Sequence, residues 1–333
     1  MLGMNKIKFG CKVIGGAYLR MFRFSKHFGW NVAWNLFCND VRKYFSHSKS
    51  SREKANAKHH EVIENYLCAK GYGAGLSGTV SSNHIALTEN VGDDNIWVCW
   101  WQGEKSMPEM VKKCFNSIIR YSNGHPVKLI TFENYKDYVQ VDHRIVDKVK
   151  NGTFKLAHFA DLVRLKLLEQ YGGLWLDSTI LLTANISEDF FQNFFSVKIR
   201  PVDNDSVSEY RWCSFVLGGG KNIRYIYSQL SCMLERYMLE NDVFIDYLLI
   251  DYFLDILYRQ DKSVKETIDT MPFTNPNLHK LRLLFENEFD EISWKTIVSN
   301  TNIFKLTYKG VHSRYTKSGI PTFYGHILCT EIP

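Results

Sequence analysis

Apolar positions recur with helical spacing through residues 11–45 and 51–70, and the pattern stops at a Gly- and Ser-rich run from Gly71 to Gly78. A boundary is expected there, separating a helical extension over residues 1–90 from an α/β domain over residues 91–333. Beyond it, the apolar run Ile96-Trp97-Val98-Cys99-Trp100-Trp101 predicts a strand, Pro108 to Tyr121 a helix with proline near its first turn, and Val127 to Phe132 a second strand. Strand, helix, strand is the opening of an α/β sheet with a parallel crossover. Residues 155–170 predict a strongly apolar helix ending at Gly172-Gly173, where glycine can supply a left-handed cap. Leu174-Trp175-Leu176 follows as a strand, with Asp177-Ser178-Thr179 at its end before Ile180 to Leu182. Polar residues at the carboxyl end of a buried strand are where α/β folds place ligands. From Asn222 to Gln260 the spacing is largely helical, and later strands are expected at Ile303 to Thr307 and near Phe323 to Leu328.

Composition adds little until the charge is mapped. At 333 residues, 45% hydrophobic and 23% charged, the chain has the makings of a soluble fold with a substantial core. The net charge of +6 is uneven: residues 1–60 hold 12 Lys or Arg against two acids, which leaves 29 against 33 in the remainder. The same stretch interleaves its bases with Phe9, Tyr18, Phe22, Phe24, Phe28, Trp30, Trp34 and Phe37. That mixture suits a helix lying on an anionic membrane surface, and equally a set of aromatics packed on the rest of the fold. No apolar run reaches the roughly 18 to 20 residues of a spanning helix, and no signal-peptide pattern is present. Peripheral attachment at the cytoplasmic face of a membrane is therefore the expectation, and nucleic acid is not an expected partner because the remainder is acidic. The eight cysteines are scattered without a C-x-x-C pair, which speaks against a zinc site or a disulfide framework.

Two glycine motifs fail on context. Gly73-Ala74-Gly75-Leu76-Ser77-Gly78, with Asp93 and Asp94 downstream, matches a dinucleotide fingerprint but follows a helix and runs into polar residues. Gly218-Gly219-Gly220-Lys221 lacks the spacing and the hydroxyl residue of a phosphate-binding loop. The segment from His158 to Asp177 is different in kind. Asp161 and Arg164 stand three apart on an apolar helix, where charges are costly unless they pair or bind something polar. They read either as a mutual buried ion pair or as ligand-binding groups. Asp177 reads either as a turn-forming carboxylate or as a ligand for a divalent cation. Asp246 and Asp251 fall on an expected helix without sharing a face, and Asp251 is a candidate to meet acceptor or sugar, with a capping or surface role as the alternative.

Trp97-Val98-Cys99-Trp100-Trp101-Gln102-Gly103, Cys114-Phe115-Asn116-Ser117-Ile118, the Asp161 to Gly173 helix with Leu174-Trp175-Leu176-Asp177-Ser178-Thr179, and Lys305-Leu306-Thr307 together resemble the capsular polysaccharide synthesis glycosyltransferases. These are similar to a wider group with a GT-A fold and a DXD-type sugar-binding region, which includes yeast-type mannosyltransferases and the large clostridial glucosylating toxins. The resemblance spans roughly residues 95–330. It implies a GT-A-type α/β domain that takes galactose or glucose from a UDP-sugar, with retention of configuration, and passes it to a lipid-linked oligosaccharide during bacterial capsule or O-antigen assembly. Trp101 would stack on the uracil, with Trp100 pointing to the core and Gln102 beside it. Asp161 and Arg164 would bind ribose or sugar hydroxyls, and Trp175 and Ser178 would line the same pocket. Asp177 matches the first DXD acid, which would hold Mn2+ or Mg2+ on the diphosphate, while Thr179 replaces the second acid and His312 is a late candidate ligand.

Overall fold

The computed structural model describes residues 2–46, 48–75, 94–201, 203 and 206–329. Leu76-Ser77-Gly78 and Asp93, part of the glycine motif weighed above, lie outside them. Three helices lead: α1 (Leu2–Phe28), α2 (Trp30–Phe45) and α3 (Lys49–Ala69). The helical spacing over residues 11–45 belongs to two helices, because Gly29 between them takes a φ of 86° and lets α2 fold back on α1.

The α/β part then runs β1 (Ile96–Cys99), α4 (Glu109–Arg120), β2 (Val127–Ile130), α5 (His143–Lys150), α6 (Leu156–Tyr171) and β3 (Gly173–Leu176). It continues through β4 (Ile180–Leu182), β5 (Val216–Gly219), α7 (Arg224–Glu240), α8 (Leu249–Gln260) and α9 (Lys262–Asp269). Short α10 (Lys280–Leu283), α11 (Glu291–Val298), β6 (Ile303–Lys305) and α12 (Phe323–Cys329) complete it. The main sheet has the order β2-β1-β3-β5, with β1 parallel to β2 and β3, and β5 antiparallel to β3. A separate antiparallel pair, β4 with β6, places Ile180 opposite Lys305.

Alternation along the strands assigns the layers. Trp97, Cys99, Trp175 and Leu217 enter one core with residues of α6, α7 and α8, while Ile96, Val98, Leu174, Leu176 and Val216 enter a second core with α4, α11, α12, β4 and β6. Both faces are covered, which is why these strands read as unbroken apolar runs. Met21, Phe24, Phe28, Ala33, Leu36, Ile63 and Leu67 of the first three helices join the first core.

Helix α6 is buried on nearly every side and runs straight into β3. Gly172 and Gly173 make that junction at φ 69° and 89°. A Cβ on Gly173 would stand 2.3 Å from the Asn95 carbonyl oxygen, so only glycine fits. The Trp97 indole N–H donates to the Gly172 carbonyl at 2.9 Å and fixes the turn from the neighbouring strand.

Two expectations are corrected here. Residues 323–329 form a helix, not a strand: Phe323 and Ile327, four apart, are both buried, and Gly325 lets the helix lie against the Arg314 backbone. The helical stretch from Asn222 to Gln260 breaks between α7 and α8, and Asp246 sits in the break, where it accepts from the Leu248 N–H at 2.8 Å and faces His59 at 3.3 Å.

Candidate active site

Four charged side chains meet where β1 and β3 end. Asp177 leaves β3 with its N–H on the Phe215 carbonyl, and its own carbonyl accepts from the Ile180 N–H, so the chain turns at once into β4. One carboxylate oxygen accepts from the Trp175 indole at 3.0 Å and lies 3.9 Å from Arg164 Nη1. The other accepts from Lys305 Nζ at 2.6 Å. Arg164, 6% exposed, donates through Nη2 to Asp161 Oδ1 and through Nη1 to the Ser214 carbonyl, and its guanidinium lies 5.1 Å over the Trp175 ring. Its buried Nε has no partner among the described residues. The ion pair read from the sequence therefore exists, and Asp177 and Lys305 extend it to two acids and two bases.

The two acids are held differently. Burial would raise Asp177, but Lys305 and then Arg164 outweigh it and hold the carboxyl below its ordinary range. Burial pushes Asp161 up to about 7, with Asp177 and Asp251 adding to the shift and Arg164 opposing it. Tyr247 and Tyr308 stand exposed at the rim; partial desolvation of the Tyr247 hydroxyl end, and then the charges of Asp161 and Asp177, raise its phenol. His158, one turn before Asp161 on α6, is buried with its ring stacked 3.7 Å from that of Phe244, and burial lowers it to about 4. The clefts of about 360 Å³ between α2 and α3 and about 440 Å³ beside α3 and α8 include none of these groups. Charge, rather than concavity, marks the site.

The other candidate residues are placed as follows. Trp101 lies on the site face of the sheet but is 9% exposed, stacked 4.9 Å from Phe159, with its N–H donated to the Leu156 carbonyl at 2.9 Å. No ring face is open for a base, which corrects the stacking role expected of it. Trp100, expected in the core, is half-buried, bonded to Ser106 and edge-on to the exposed Tyr308. Gln102 is exposed, Ser178 is half-buried, and Trp175 is buried beneath Arg164. Asp251 is also corrected: it is buried, accepting from Trp212 Nε1 at 2.9 Å and Ser214 Oγ at 3.1 Å, and so supports the loop behind Arg164 rather than facing a substrate. Lys305 was visible in the sequence without a role. Its signal was a lone base in the apolar run Ile303 to Leu306, the same kind of anomaly that picks out Asp161 and Arg164.

The expected metal set does not come together. Mn2+ and Mg2+ take several oxygen ligands, usually including carboxylates. Asp177 has both oxygens engaged by Trp175 and Lys305, Thr179 is buried with its carbonyl bonded to the Leu306 N–H, and His312 Nδ1 lies 2.6 Å from Glu286. Among the described residues no three His, Cys, Asp or Glu side chains are grouped to hold a metal. The donor set present does not fit a divalent ion, and an ammonium stands beside Asp177 instead.

Polar side chains gathered at the carboxyl ends of the strands of a parallel-containing α/β sheet stand where such folds place ligands. A family model described as capsular polysaccharide synthesis protein matches residues 42–327, and the chain belongs to that family. The chain is also similar to the O-glycosyltransferase PaGT of Phomopsis amygdali, 27% identical over 118 residues, covering 32% of this chain and 28% of that one. It is similar to the O-glycosyltransferase braB of Annulohypoxylon truncatum, 29% identical over 134 residues, covering 38% and 30% of the two chains. The chain spans less than a third of the length of these curated relatives.

Proposed function

We propose that this protein is a glycosyltransferase with a GT-A-type domain that moves a hexose from a UDP-sugar to a lipid-linked oligosaccharide in bacterial capsule or O-antigen synthesis. The observation that carries the reading is the Asp161, Arg164, Asp177 and Lys305 cluster at the ends of β1 and β3. Family membership and the two glycosyltransferase relatives support the same class. In the transfer, the bond from the anomeric carbon to the diphosphate breaks with its electron pair going to the diphosphate. The acceptor oxygen bonds that carbon and its proton passes to the departing phosphate. Retention follows if both events occur on one face of the sugar. Fixed cations beside the leaving group favour the step because they meet charge as it develops.

The N-terminal helices support a membrane-bound acceptor. Their buried side packs into the first core, while Tyr18, Phe22, Trp30 and Trp34 form an exposed aromatic row, Tyr18 to Phe22 at 4.8 Å and Phe22 to Trp30 at 5.5 Å, with Arg23 and Lys26 exposed nearby. Such a row with bases suits the interface of an anionic bilayer. No helix of the described residues is long and apolar enough to cross a membrane. The test of the enzymatic reading is a screen for UDP release from a set of UDP-sugars, repeated with membrane lipid extract as acceptor. Release that rises with extract supports it, and an extract that accepts no sugar from any donor contradicts it.

A further inference from the structure

We propose that Lys305 is a built-in cation of the donor site, its ammonium taking the place beside Asp177 from which a divalent ion would otherwise grip the diphosphate of a nucleoside-diphosphate sugar. The inference rests on the nucleotide-sugar reading above and goes beyond it in saying what neutralises the leaving group.

The fold delivers this lysine to the loop that lacks the second acid. Thr179, which stands where that acid is expected, accepts the Leu306 N–H at 2.9 Å through its carbonyl, and Ile180 pairs with Lys305 across β4 and β6. The strand that carries Lys305 is therefore stitched to the Asp177-Ser178-Thr179 turn, and Nζ arrives 2.6 Å from Asp177 Oδ2. The Phe215 ring, 4.6 Å from Nζ, covers the ammonium on another side. Its side chain is 18% exposed and that of Asp177 is 30% exposed, so the pair is reached from solvent rather than sealed in the core.

Charge arithmetic explains why the exchange works. Two carboxylates around a dication sum to zero, and so do one carboxylate and one ammonium. Replacing the second acid by Thr179 would leave a dication with half its counter-charge, whereas it leaves Lys305 and Asp177 balanced. A lysine ammonium has three N–H donors; Asp177 accepts one, and two remain for phosphate oxygens. Arg164, 3.9 Å from the other Asp177 oxygen, places a second fixed cation at the same spot. Lys305 acts by position and charge and moves no proton.

The alternative is that Lys305 only neutralises Asp177. Calorimetric titration of UDP and of uridine against the whole protein separates the two, with wild type, Lys305→Ala and Lys305→Arg each measured in EDTA and in Mn2+. We expect wild type to bind UDP equally in both buffers. Lys305→Ala should lose UDP affinity by about ten- to hundredfold, the worth of a charged hydrogen bond, with uridine binding unchanged and Lys305→Arg retaining most of the UDP affinity. Wild type that needs Mn2+ to bind UDP overturns the proposal while leaving the glycosyltransferase reading standing. So does Lys305→Ala that keeps its UDP affinity, or that loses UDP and uridine alike. If Lys305→Ala does not fold, the wild-type comparison of buffers still decides. Wild type that binds no UDP in either buffer overturns the nucleotide-sugar reading and this inference together.

Discussion

Asp251 and Arg164 act on the same residue from opposite sides: the Asp251 carboxylate accepts from the hydroxyl of Ser214, and the Ser214 carbonyl accepts from Arg164 Nη1. Asp251 is thus a positioning residue for the guanidinium. Asp251→Ala strands the Trp212 indole and Ser214 hydroxyl without their acceptor, and should cost about 1 to 3 kcal/mol of stability. It should also slow turnover by about ten- to hundredfold by letting Arg164 shift. Asp251→Asn keeps an acceptor in place and should recover most of both, measured by thermal melts and UDP release.

The same residue gives a pH signature. Burial raises Asp251 from 3.8 to about 6, so between about pH 4 and 6 the folded protein holds a proton that the unfolded chain has released. Its contribution to stability therefore falls as pH rises through that window. His158, lowered to about 4, tilts stability the other way over the same range. The informative quantity is the difference in melting temperature between Asp251→Asn and wild type, which should grow from pH 4 to pH 6 and then level. A difference that stays flat would contradict a buried, proton-holding Asp251.

Much of this was legible in the sequence, for identifiable reasons. The apolar run at Ile96, the Gly172-Gly173 junction and the charges at Asp161, Arg164 and Asp177 are all departures from, or extremes of, local pattern, and each marks a feature the fold uses. What was not legible depends on pairing across the chain. The stacking role of Trp101 is implied by the resemblance alone, which does not say which rings pack on it, and Phe159 stacks against it. Lys305 meets Asp177 only through the β4 and β6 ladder, whose register no local pattern reveals. The run from Phe323 to Leu328 suggests a strand, where the structure has the helix Phe323–Cys329, because a short apolar run does not distinguish the two periods.

Base recognition should accordingly shift from Trp101 to the rim. Trp101→Ala removes a buried aromatic and is expected to lower stability by about 3 to 5 kcal/mol. Trp101→Phe, which keeps the stack on Phe159, should bind UDP as wild type does. Tyr247, 62% exposed beside Asp161 and Asp177, is the ring available for stacking. Tyr247→Ala should weaken UDP by about one to two powers of ten in a titration, the usual worth of one stacked base.

Membrane attachment is best tested without deleting helices that help build the core. Trp30 and Trp34, 58% and 55% exposed, can be changed to serine together with little effect on the fold. Sedimentation with anionic lipid vesicles should lose most of the bound protein, with the melting temperature unchanged. Undiminished binding by a folded double variant would move the contact elsewhere.

The role proposed for Asp177 in nucleotide-sugar transfer is read from UDP release by wild type and Asp177→Asn, side by side in EDTA. The asparagine keeps the size and the acceptor for Trp175 but removes the charge that seats Lys305 and faces Arg164. Wild type should release UDP from at least one UDP-sugar, and the variant should fall by on the order of two powers of ten at a similar melting temperature. A folded Asp177→Asn protein that turns over at the wild-type rate would contradict the account.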